Sequence, residues 1–139
     1  MAKLVTFMYA NESRNDNNNG QNIQVITNPL LSLKLMFIPG QLSFSVIFGI
    51  AEFNYEEIHT AQFKLIDPDG NIVIDTKEFN IPKIGIDKNA DGFIGSLDLR
   101  NVVFRTNGYY KTELFFDGEK LKDDTILVAE ADTNGGNGI

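Results

Sequence analysis

The residues with the most chemical potential lie between Asp87 and Asp98. The run Asp87-Lys88-Asn89-Ala90-Asp91-Gly92-Phe93-Ile94-Gly95-Ser96-Leu97-Asp98 follows the spacing of a calcium loop, with oxygen-bearing side chains at the first, third, fifth and last positions, glycine at the sixth and an apolar residue at the eighth. Calcium takes six to eight hard oxygens, so carboxylates at alternate positions of a tight loop can converge on one ion. Asp87, Asn89, Asp91 and Asp98 are the candidate side-chain ligands, and Phe93 is the candidate backbone carbonyl. Asp98 stands where the pattern has a longer glutamate, and neither flank reads as a helix. Calcium, the one cofactor the sequence suggests, would therefore bind between strands. The plainer alternative is a polar turn, in which Asp and Asn favour tight backbone geometry and Gly92 accepts positive φ.

His59 is the only imidazole in the chain. It lies beside Glu56 and Glu57, so an acid–base pair can be drawn, but the local sequence supplies neither a nucleophile nor oxyanion donors. An exposed histidine in a loop before a strand is the simpler expectation. With a single His and no Cys, two-histidine metal sites, disulfides, thiol catalysis and cysteine-bound zinc are all excluded. Ser43 and Ser45 alternate with apolar residues and read as the outer face of a strand. No glycine-rich phosphate loop precedes a helix. Nothing here groups into a catalytic constellation, and the chain is not expected to be an enzyme. Two aromatics suggest binding instead. Tyr109-Tyr110 and Phe115-Phe116 are adjacent pairs in one strand, so each pair must split between its faces. Tyr109 and Phe115 then share the face away from the core and are the candidate partner-binding residues. Packing against the chain's own loops is the alternative.

The elements that must position these residues are strands. Gln41–Ile50 alternates strictly, with Leu42, Phe44, Val46, Phe48 and Ile50 on one face. Leu4–Ala10, Ile23–Ile26, Leu31–Phe37, Ala61–Leu65, Ile72–Ile74 and Leu97–Phe104 carry shorter versions of the same pattern. Asp67-Pro68-Asp69-Gly70 and Asp117-Gly118 are favourable hairpin turns. Glu52–Ile58 has room for a short helical turn. Asn11–Gln21 has no apolar residue and is expected as a mobile polar loop. Thr133–Ile139 reads as a disordered tail. The expectation is a single all-β domain over 1–132, an antiparallel sandwich of eight or nine strands with Greek-key connections. Its predicted core includes Phe44, Val46, Phe48, Leu65, Tyr110 and Leu114.

At 139 residues, with 19 acidic and 12 basic side chains, the chain carries a net charge of −7. That balance opposes a direct electrostatic grip on nucleic acid or an anionic membrane. Residues 51–139 hold 17 of the acids, which serves solubility or makes an acidic face for a basic partner. The start of the chain lacks the apolar length of a signal peptide, and no run is long enough to span a bilayer. A cytoplasmic location is expected.

The segment Arg105-Thr106-Asn107-Gly108-Tyr109-Tyr110-Lys111-Thr112-Glu113-Leu114 resembles the F strand of immunoglobulin-like domains. The resemblance implies that Tyr110 is a corner tyrosine bonding backbone upstream, and that Thr112 stands in the place of the usual cysteine. More broadly, Ile38–Val46, Asp67–Gly70, Gly108–Leu114 and Asp117-Gly118 resemble an uncharacterised family of short bacterial and phage proteins. That likeness implies a fold rather than an activity. The expected function is a non-catalytic module that binds an unidentified protein through loops or a sheet edge. The alternatives are a calcium-dependent binding module and an acidic phage-encoded inhibitor or nucleic-acid mimic.

Overall fold

In a computed structural model of the chain, residues 2–131 are described. They form eleven strands: β1 (Lys3–Asn18), β2 (Gln21–Leu30), β3 (Ser32–Leu35), β4 (Gly40–Ala51), β5 (Thr60–Ile66), β6 (Ile72–Asp75), β7 (Phe79–Asn80), β8 (Ile86–Asp87), β9 (Gly92–Phe104), β10 (Gly108–Phe116) and β11 (Glu119–Glu130). No helix among them is long and apolar enough to cross a membrane. In place of the short helical turn expected at 52–58 the chain makes bends and one isolated turn, closed by Glu57 N–H donating to the Asn54 carbonyl at 3.1 Å.

Two sheets pack face to face, in the orders β2-β1-β4-β9-β8 and β3-β11-β10-β5-β6, with β7 also on β5. The run β1-β4-β9-β8 against β5-β10-β11 is the ABED-against-CFG order of immunoglobulin-type sandwiches. Two details differ from expectation. The strands number eleven, because β7 and β8 span only two residues each, too few to show a period. One pair, β3 on β11, is parallel: the chain crosses from the first sheet to the second between β2 and β3 and continues along the last strand.

The alternation in β4 places Phe44, Val46, Phe48 and Ile50 between the sheets, each 2% exposed or less. Facing them are Phe63 and Leu65 of β5 and Tyr110 and Leu114 of β10, all fully buried. Every residue predicted for the core is there. In the stretch around β3 the pattern holds only for Leu33 and Leu35; Leu31 and Phe37 lie beyond the strand's ends and are exposed.

The second half of β1 and the whole of β2 overturn an expectation. Residues 11–21 are not a loop: they form the far end of a hairpin in which Asn18 pairs with Gln21 and Glu12 with Thr27. The turn is Asn19-Gly20, with φ of 55° and 79°. Positive φ at both central residues defines the type I′ turn, whose twist matches that of the paired strands. A strand ladder needs backbone partners rather than apolar side chains, so polarity alone did not make this segment a loop. The arm lies over the outer face of the first sheet, where the Gln24 amide donates to Ser96 Oγ of β9 at 3.4 Å and to Ser13 Oγ. That cover accounts for the burial of Ser45 and Ile47 on the outer side of β4. The tail expected to be disordered, 133–139, lies outside the described residues.

Candidate functional site

The calcium-loop residues are separated by the strands that carry them. Asp87 closes β8 and pairs with Gly92, so 88–91 is the turn of a hairpin. Asp87 Oδ1 accepts from the amides of Asn89 at 2.9 Å and Ala90 at 3.3 Å, the local bonding that Asp makes in a turn. The residue with positive φ is Asp91, at 50°, not Gly92. Gly92 is needed for room: a Cβ there would sit 2.1 Å from the Ile50 carbonyl oxygen. Phe93 packs in the core, edge-on to Phe48 at 5.6 Å. Asp98 lies six residues along β9 from Gly92, roughly 20 Å at strand rise, opposite Ser45 and bonded to Arg100 at 2.8 Å. The five candidate ligands therefore do not converge, and among the described residues no three His, Asp or Glu side chains do.

His59 finds different partners from those the sequence suggested. Its Nδ1 lies 2.6 Å from Asp117 Oδ2 and its Nε2 lies 2.7 Å from the Asn54 carbonyl. Both partners accept only, so both contacts are hydrogen bonds together only when the ring is protonated and each nitrogen donates. Burial alone lowers its pKa, but the bonds to Asp117 and Asn54 outweigh it and the net shift is upward. Phe116 stacks on the ring at 5.2 Å and Phe53 meets it edge-on at 4.8 Å. Asp117 also accepts from the Thr60 amide at 2.9 Å. The cluster fastens the β4–β5 connection to the β10–β11 turn.

Tyr109 and Phe115 share the outer face of β10 as expected, but roughly 20 Å of strand separates them. Tyr109 is 65% exposed. Phe115 is half-covered by Lys64 and Lys120, whose ammonium groups stand 5.5 and 5.9 Å from its ring. Between the aromatics, Glu113 is buried and ion-paired to Lys120 at 3.0 Å and Lys111 at 3.4 Å. Lysines and carboxylates alternate across this face, so it is not a continuous acidic surface.

A feature missed by sequence lies on the rim where β1 faces β11. β2 pairs with β1 only from Tyr9 onward, so no strand among the described residues lies on that edge of Lys3–Met8. β3 pairs with β11 only from Leu127 onward, so none among the described residues lies on that edge of Glu119–Ile126. Between the two free edges runs a cleft of about 340 Å³ lined by Phe7, Tyr9, Leu30, Leu31, Lys122 and Ile126 among others. Lys122 stands 5.1 Å from the Phe7 ring centre. The cleft is floored by a buried hydrogen bond between the sheets, Tyr9 Oη to Thr112 Oγ1 at 2.6 Å. Burial raises the Tyr9 phenol pKa, and the Thr112 bond only partly offsets this. The apolar period of β1 is visible in sequence, but which lengths of β1 and β11 lack neighbours depends on where β2 and β3 begin to pair.

The model of a family of unknown function, DUF6941, matches residues 6–129, from within β1 almost to the end of β11. The chain belongs to this family. The match spans both sheets, the His59 cluster and most of the rim cleft, so these are parts of one DUF6941 domain. No curated protein matches this DUF6941 chain.

Proposed function

We propose that this DUF6941 chain is a non-catalytic protein–protein interaction module that takes an extended segment of a partner along the β1–β11 rim. The observation that carries this reading is the pair of unpaired strand edges facing each other across an apolar-lined cleft. An exposed strand edge presents unpaired N–H and C=O groups, and an incoming strand satisfies them while its alternate side chains enter the cleft. His59 has both nitrogens committed to acceptors, which supports a structural part for the one imidazole. The cysteine-free chain suits a reducing, cytoplasmic setting, and its likeness to short bacterial and phage proteins suggests a partner in such a cell.

Photo-crosslinking residues placed at Leu31 and Lys122, which line the cleft, with Ile84 on the opposite side of the sandwich as control, test the proposal in cell lysate. The expected outcome is one partner captured from both rim positions and not from the control. Capture from Ile84 alone, or none from the rim, counts against it.

A further inference from the structure

We propose that two copies of this chain pair through the free edge of β9, as antiparallel strands related by a two-fold axis at Leu99. This is the rim opposite the β1–β11 cleft, so the proposal stands or falls separately from the binding reading above.

β8 covers β9 only at Gly92 and Phe93, and the Ile94 amide makes one further bond, to the Gly85 carbonyl at 3.0 Å. From Gly95 onward no strand among the described residues pairs with this edge. Because Ile94 directs its backbone N–H to that edge, strand alternation sends the N–H and C=O groups of Ser96 and Asp98 the same way. These groups form a ready template for another strand. The edge carries no lysine or proline between Ile94 and Phe104, two residue types that commonly blunt such edges.

The occupant follows from charge. Asp98 and Arg100 are exposed, lie on one face and bond each other at 2.8 Å. Antiparallel pairing about Leu99 puts Asp98 of each copy opposite Arg100 of the other. The edge is thus complementary to itself, as an isologous dimer contact requires. Each opposite-charge pair occurs twice by symmetry and adds favourable cross-strand contacts. On the inner side Leu97 and Leu99 are only half-buried at this rim, and a second β9 covers them. The bulge at Arg100–Asn101, where two residues oppose Ser43 alone, bends the strand and confines the pairing to the region around Leu99.

Sedimentation of the full chain from micromolar to near-millimolar concentration tests this, with D98R, R100D and the double swap D98R/R100D alongside. All the altered side chains are exposed, and circular dichroism confirms that each variant is folded. The native chain is expected to dimerise. Each single variant places like charges opposite each other twice and should weaken the dimer at least tenfold. The double swap restores opposite charges and should recover it. A native chain that stays monomeric throughout overturns the proposal, as does a dimer indifferent to the single variants. Single variants that dissociate without recovery in the double swap also overturn the register about Leu99.

Discussion

Thr112, at the position where the immunoglobulin pattern has a cysteine, ties the sheets through Tyr9 instead. Thr112→Val leaves a buried phenol unpaired and is expected to cost about 1–3 kcal/mol in urea unfolding. Tyr9→Phe orphans the threonine hydroxyl in turn, and the double variant should lose less than the sum of the two. Additive losses would mean that the bond is not the source of either. His59 makes a pH prediction. Its folded pKa lies above the ordinary 6.5, so its stabilisation is full below that value and is lost as pH rises through the folded pKa. Thermal melts should therefore show the native chain losing stability, relative to His59→Gln, as pH rises from about 6.5. Parallel curves would deny the pairing. For Asp117, burial raises the pKa but the bonds from His59 and Thr60 outweigh it and the pKa lies below the ordinary 3.8; that contribution disappears as pH falls through the lowered value. The corner tyrosine was legible in sequence because its acceptor is local: Tyr110 Oη donates to the Thr106 carbonyl at 2.6 Å, four residues back. The His59 partner was not, since Asp117 lies 58 residues away while two glutamates sit nearby in the chain.

Among the elements, the β8–β9 hairpin and the β1–β2 arm show what periodicity can and cannot reveal. From sequence Gly92 reads as the loop glycine that accepts positive φ, and the structure gives it another role: backbone atoms of Ile50 and Ala51 occupy the space a side chain would need. Gly92→Ala must push β9 from β4, and a destabilisation of about 1–3 kcal/mol is expected by denaturant unfolding, independent of added calcium. A variant as stable as the native chain would remove the steric role. In the arm the polar flanks Asp16-Asn17-Asn18 and Gln21-Asn22 hide the period of two, and only Asn19-Gly20, a favoured type I′ pair, marks the hairpin. Its contact with the sandwich runs through Gln24, whose Oε1 is buried without a partner, as is Ser45 Oγ. Such a seam is a weak point. Gln24→Ala should speed hydrogen exchange across 11–28 while leaving β4 protected; uniform acceleration of both would mean that the arm and sandwich open together.

For the molecule as a whole, the core carries the stability, and Phe48→Ala is expected to cost about 3–5 kcal/mol in chemical unfolding. A loss under about 1 kcal/mol would contradict its enclosure between the sheets. The sandwich was legible because strict alternation in β4 admits no helix, and because the turn residues mark hairpins. Sheet order was less so, since each crossing between sheets is decided by partners far along the chain. One such pairing has a consequence in time. Among the described residues β3 is bonded within its sheet only to the end of β11 and the residue after it, Leu127–Ala131, and Tyr9 reaches its partner 103 residues away. During synthesis the early strands can form the β1–β2 hairpin and meet β4, but β3 has no sheet neighbour until the final strand leaves the ribosome. Such long-range closure is slow. A nascent chain halted before Leu127 would expose Leu33 and Leu35, and would be a natural client for holdase chaperones until the end of β11 arrives.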